Sequence, residues 1–215
     1  MNTPAGPAGR GHTQPPRQST DVQALVLAGG QSRRMGQDKA WVSWRGQTLL
    51  HHVVDTLRAQ QPFAPHEIWL SAPQHDPRHP ALGFAAVIPD DSAHVGAGPL
   101  AGMLAGLQRC KSPWLLVVPC DTPCLPKDLL HQLARAVDEQ HLVAVAATTT
   151  PQGPRVHPVV ALIHGSCAPV IAEQLERGER RLMHWLRRQA HRQVLFEAAC
   201  AFANVNDADS LRQLG

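Results

Sequence analysis

An apolar run, Ala24 to Leu27, passes directly into Gly29-Gly30, and a polar loop carrying Arg33, Arg34, Gly36 and Lys39 follows. A buried strand that ends in glycines lets a ligand approach the backbone, because no Cβ stands in the way. Backbone N–H groups in such a loop can cradle an anion. The arginines add planar forks of donors and Lys39 adds a point charge, the devices that hold phosphate. The spacing is neither that of the Walker phosphate loop nor Gly-x-Gly-x-x-Gly. The chemistry expected of this loop is polyphosphate binding.

A second site candidate is Asp121, in Val117-Val118-Pro119-Cys120-Asp121-Thr122-Pro123. A carboxylate just past an apolar strand suits a magnesium ion, which takes few carboxylates and fills its shell with phosphate oxygens and water. The competing reading is an aspartate that caps the next helix. Asp90-Asp91-Ser92 ends another apolar run, where a place at the site edge competes with a solvated turn. In the stretch Gly96 to Leu107, Gly98-Pro99 opens a helix and Gly102 and Gly106 fall on its packing face. Small residues there admit either a base and sugar or a closely packed sheet.

These residues need elements to bring them together. Apolar runs at Val22–Leu27, Glu67–Ser71, Ala85–Ile88, Trp114–Val118, Val143–Ala147, Val159–Ile163 and Phe202–Val205 read as strands. Helical periodicity follows Thr48, a cap candidate, in Leu49, Leu50, Val53, Val54 and Leu57. It recurs in Leu100 to Leu107, Leu130 to Val137, Pro169 to Leu175, Leu182 to Leu186 and Ala208 to Leu214. Alternation of strands with helices predicts an α/β fold, a mostly parallel doubly wound sheet with helices on both faces. Ligands in such sheets bind beyond the carboxyl ends of the strands. Gly29-Gly30, Asp90-Asp91 and Asp121 all follow strand ends, so one edge would gather them.

The unbroken match Leu27-Ala28-Gly29-Gly30-Gln31-Ser32-Arg33-Arg34-Met35-Gly36-Gln37-Asp38-Lys39 resembles the opening signature of a nucleotidyltransferase group, the molybdenum cofactor guanylyltransferases. Pro119-Cys120-Asp121-Thr122-Pro123 and Gly98-Pro99-Leu100-Ala101-Gly102-Met103 resemble two further motifs of that family. The resemblance implies a Rossmann-like nucleotidyltransferase fold and transfer of GMP from GTP to molybdopterin, with release of pyrophosphate. It implies Mg2+ as cofactor, held by Asp121, and Lys39, Arg34 and Asp121 as catalytic residues. Nucleotide and cofactor contacts would fall on Leu27, Ala28, Gly29, Gly30, Lys39, Ser71, Asp91, Gly98, Pro99, Asp121, Asn204 and Asn206. Ser71 stands where the family often has asparagine, keeping a hydroxyl but losing the paired amide groups. Arg155-Val156-His157-Pro158, Arg180-Arg181 and Asn204-Val205-Asn206 resemble segments near the pterin. GTP and molybdopterin would be the substrates, with transient contact to proteins that deliver molybdopterin and to molybdoenzymes. Two alternatives remain at this stage, a CTP-dependent cytidylyl relative and a non-catalytic molybdopterin-binding delivery partner. The cytidylyl relatives tend to carry Leu-Ala-Ala-Gly at the first motif, and Gly29 favours the larger base.

The 215 residues suffice for one α/β domain with a full core. We expect a disordered tail over 1–20, where seven residues are Gly or Pro, and a single domain over 21–215. Its nucleotide half would span about 21–125 and its acceptor half about 126–215. A net charge of +3 argues against a nucleic-acid stripe, and no apolar run approaches the ~20 residues of a membrane span. Five cysteines without paired Cys-x-x-Cys spacing read as reduced thiols of a cytoplasmic protein rather than as a disulfide or zinc framework. The thirteen histidines are scattered, and adjacent His51 and His52 face different sides of a helix, so no metal site is expected there.

Overall fold

A computed structural model describes residues 13–28, 39–72, 76–89, 96–197, 201–205 and 208–214. Strands β1 (Val22–Leu27), β4 (Ile68–Ser71), β5 (Ala86–Ile88) and β6 (Trp114–Pro119) lie parallel. With β7 (Val143–Thr150), β8 (Gly153–His164) and β9 (His191–Phe196) they form a seven-stranded sheet ordered β5-β4-β1-β6-β8-β7-β9. A two-residue pair, β2 (Ser43–Trp44) and β3 (Gln47–Thr48), stands apart from it.

The sheet buries both faces because its central strands are apolar throughout except at Gln23, whose buried amide bonds Glu67 and the backbone of Lys111 and Ser112. Val22, Ala24 and Val26 of β1, with Trp114, Leu116 and Val118 of β6, face one core. Leu25 and Leu27, with Leu115 and Val117, face the other. This is the expected signature of strands covered on both sides. Helices α1 (Leu49–Arg58) and α3 (Leu129–Ala136) close the first core, while α2 (Pro99–Arg109), α4 (Ala168–Glu176) and α5 (Leu182–Arg187) close the second. A last helix, α6 (Ala208–Gln213), follows. Thr48 does cap α1, its hydroxyl accepting from His51 N. Buried Gln60 welds the end of α1 to the start of α3, accepting from Leu130 N and donating to Pro126 O, each at 2.8 Å.

The structure departs from the sequence expectations in four places. Phe202–Val205 is not a strand: Phe202 turns the chain with φ +65°, and residues 203–205 continue as irregular backbone. The strand at that end of the chain is β9, whose half-exposed His-Arg-Gln-Val-Leu-Phe lacks a continuous apolar run and, among the described residues, pairs with β7. β8 begins at Gly153 and runs antiparallel to both β6 and β7, because the Thr150–Gly153 turn makes a hairpin with β7. Its register jumps between Val145↔Ala161 and Ala146↔His157, and the bulge between them accommodates Pro158. The segment expected as a tail also packs from residue 13 onward: Pro16 is buried and Gln14 O accepts from the Trp114 indole at 3.0 Å.

Four cysteines are described, Cys110, Cys120, Cys124 and Cys167, and of these Cys110 and Cys167 are free thiols. Burial pushes the Cys110 and Cys167 thiols up to about 11, so both stay protonated at neutral pH. His51 and His52 bond Thr48 and the Trp44 carbonyl. Among the described residues no group of three metal-ligating side chains occurs, and no helix is long and apolar enough to cross a membrane.

Candidate active site

The carboxyl ends of β1, β4, β5 and β6 fall in one line. Leu27 pairs with Ser71 on one side and Pro119 on the other, and Ser71 pairs with Ile88. Backbone bonds continue just past the strands: Ala28 N donates to Ser71 O at 2.8 Å, Cys120 N to Leu27 O at 3.0 Å and Ala72 N to Ile88 O at 3.2 Å. The loops that leave these strands therefore start as neighbours, although the sequence separates them widely.

Asp121 stands on that edge. Its Oδ2 lies 3.4 Å from Lys39 Nζ, and the two side chains are 16% and 20% exposed. Burial raises the Asp121 pKa above its ordinary value, while the charge and hydrogen bond of Lys39 pull it back. The helix-cap reading fails here, since the next helix begins at Leu129 with Asp128 at its cap position. A desolvated carboxylate beside a lysine cation fits a divalent ion that takes most of its ligands from phosphate and water. Lys39 opens a 3₁₀ turn, Lys39–Trp41, whose Ala40 is buried in the core.

Helix α2 starts over the same edge. Gly98 occupies its cap position with φ +78°, and Pro99 is its first residue, where a missing N–H costs nothing. Both are exposed. Gly102, one turn on, sits so close to the strand ends that a Cβ would lie 2.7 Å from Ser71 Oγ and 2.8 Å from Leu27 Cδ2. Gly106 is equally close to Leu25. The packing reading of these two glycines holds. Ser71 is buried at 2% exposure and forms part of the seat of α2.

Asn204 also reaches the Asp121 loop. Buried Thr122 donates to Asn204 Oδ1 at 3.0 Å, and Val205 N donates to Asp121 O at 2.9 Å. His157 lies on the neighbouring end of β8, bonded to Thr148 Oγ1 at 2.9 Å and 5.0 Å from the Phe202 ring. Burial, then the Arg155 charge, lowers its pKa, so the imidazole stays neutral further into the acid range. Arg155 is exposed near the β8 start. Arg180 and Arg181 are exposed before α5, and Arg181 pairs with Glu179 at 3.1 Å.

A family model described as the MobA-like NTP transferase domain matches residues 24–194. The chain belongs to that family. Relatives named molybdenum cofactor guanylyltransferase resemble it over most of their length. The Cupriavidus taiwanensis protein is 36% identical, covering 89% of this chain and 95% of its own. The Pasteurella multocida protein is 38% identical, covering 88% and 96%. The solved structure of molybdopterin-guanine dinucleotide biosynthesis protein A from Archaeoglobus fulgidus shares the fold, with TM-score 0.65 and 20% identity over 89% of this chain and 95% of that one.

In this MobA-like transferase, Gly29, Gly30, Arg33, Arg34, Asp91 and Asn206 lie outside the described residues. The structure adds residues that sequence reasoning passed over. Thr122 lies inside a quoted motif, yet nothing in the chain tied it to Asn204. Trp41, Arg78 and His79 cluster behind Lys39 with no sequence signal linking them.

Proposed function

We propose that this chain transfers GMP from GTP to molybdopterin, forming the guanine dinucleotide cofactor and releasing pyrophosphate. The observation that carries the reading is the Lys39–Asp121 pair at the carboxyl edge, 3.4 Å apart, within a chain of the guanylyltransferase family. A terminal phosphate oxygen of molybdopterin attacks the α-phosphorus of GTP. The bond to the bridging oxygen breaks, and pyrophosphate leaves. The nucleophile is already an anion, so no general base is needed, and positioning and charge neutralisation supply the catalysis.

Lys39 and Arg34 stabilise the triphosphate and its leaving group. The backbone around Gly29 and Gly30 holds phosphate or base edges, and Leu27 and Ala28 bring the chain to it. Asp91, Ser71, Gly98 and Pro99 border the nucleotide, with Ser71 acting from beneath α2. Asn204, Asn206, Arg155, His157, Arg180 and Arg181 belong to the acceptor side. Residues 21–125 thus form the nucleotide half and 126–215 the acceptor half of one domain. Asp121 would hold a divalent cation, for which we propose Mg2+. Bound there, such an ion neutralises charge between two anionic substrates. Transient docking to molybdopterin carriers and molybdoenzymes, and a cytoplasmic location, complete the reading.

The test is pyrophosphate release with molybdopterin, a divalent ion and each of GTP, CTP, ATP and UTP in turn. Release with GTP alone is expected. Preference for CTP would move the chain to the cytidylyl relatives. No release from folded protein would refute the enzyme reading and favour a delivery partner.

A further inference from the structure

Lys39 rides on a short 3₁₀ turn, in which Val42 N donates to Lys39 O at 3.2 Å. One such turn does not by itself hold a long side chain in place. Ala40 enters the core, but it is small and gives little leverage. The large anchor is Trp41. Arg78 Cζ lies 3.9 Å from the centroid of its indole ring, and the His79 ring stacks on it at 5.7 Å with planes 17° apart.

Those two partners are themselves fixed. Arg78 Nε donates to both Asp76 oxygens at 2.9 and 3.1 Å, and Arg78 N donates to Asp76 Oδ1 at 2.9 Å. Asp76 N donates to His79 Nδ1 at 3.3 Å, and His79 is 4% exposed. His79 begins a 3₁₀ turn, His79–Leu82, that Arg58 of α1 holds by a 2.6 Å bond to Leu82 O. A continuous chain of contacts thus runs from α1 through residues 76–82 to Trp41 and the turn that carries Lys39. Among the described residues the buried indole nitrogen of Trp41 has no hydrogen-bond partner. The ring is held by its faces, against a cation and an imidazole.

We infer that Trp41, clamped by Arg78 and His79, is a positioning residue that fixes Lys39 against Asp121 and the triphosphate. The inference rests on the proposed role of Lys39 in turnover. It adds a specific mechanical support, built from residues 76–82.

The test is steady-state GMP transfer by the full chain, with thermal unfolding measured on every variant. Trp41→Ala is expected to lower kcat on the order of tenfold to a hundredfold, as misplacement of a catalytic group does, with a smaller change in KM for GTP. Trp41→Phe keeps the ring face, removes the unpartnered N–H and should restore kcat to within about threefold. Arg78→Ala, at a side chain 55% exposed, should fold normally and lower kcat about two- to fivefold, the worth of an exposed cation–π contact. It decides the matter if Trp41→Ala does not fold. In a Lys39→Ala background, Trp41→Ala should cost no further rate, because nothing is left to position. Wild-type kcat in a folded Trp41→Ala or Arg78→Ala variant would overturn the inference, as would a full additional loss in the Lys39→Ala background. Wild-type turnover of Lys39→Ala itself would instead overturn the role of Lys39, a distinct result.

Discussion

Gly102→Ala probes the seam between α2 and the strand ends. The new Cβ would stand 2.7 Å from Ser71 Oγ and 2.8 Å from Leu27 Cδ2, where ordinary contact begins at 3.4 Å. Relief requires a displacement of about 0.7 Å, the difference between 3.4 and 2.7 Å. Ser71 and Leu27 are 2% and 8% exposed, so neither has open space to enter. Overpacking of this kind costs about 1–3 kcal/mol, and replacing a mid-helix glycine by alanine returns about 1 kcal/mol. A net destabilisation of about 1 kcal/mol is expected. The cheapest response is for the first turn of α2 to lift, which moves Gly98 and Pro99. KM for GTP should therefore rise several-fold. Urea unfolding of the free protein reads the first effect, and initial-rate pyrophosphate release over a GTP range reads the second. Adding Ser71→Ala removes the nearer clash and should recover part of the lost stability. A Gly102→Ala protein with unchanged unfolding midpoint and unchanged KM would refute the argument that α2 is seated on Ser71 and Leu27.

Asp121→Ala should abolish turnover in a folded protein, read by pyrophosphate release beside circular dichroism; normal activity would remove Asp121 from the mechanism. Because burial raises the Asp121 pKa, its ionisation costs stability as pH rises through that pKa. Asp121→Asn should thus be at least as stable as the parent at neutral pH without ligand, and the margin should vanish below ordinary carboxylate pKa values, as paired unfolding curves would show. Lys39→Gln removes the charge that lowers the Asp121 pKa, so the acid limb of kcat/KM should move to higher pH; an unmoved limb would mean that Asp121 does not titrate in that limb. Gln60→Leu strands Leu130 N and Pro126 O and should cost about 1–3 kcal/mol in denaturant unfolding, with little effect on KM.

The sequence by itself determined the apolar strands β1 and β6, the starts of α1 and α2, and the edge at which Asp121 stands. These are local properties: a run of apolar residues, a capping threonine, a proline after a glycine. The polar strand β9 and the turn at Phe202 were illegible for the same reason, since neither carries a strong local preference and both are decided by what packs against them. The hairpin that reverses β8 follows from a turn at Thr150–Gly153 whose consequence appears only when β8 docks beside β6. Likewise, Asp121 and Lys39 were each readable as candidates, but their 3.4 Å approach belongs to the sheet, which brings distant strand ends together. Thr122 with Asn204, and Arg78 with Trp41, are pairs of the same kind. Local chemistry can announce a residue's type and element, whereas its partner is fixed by tertiary packing.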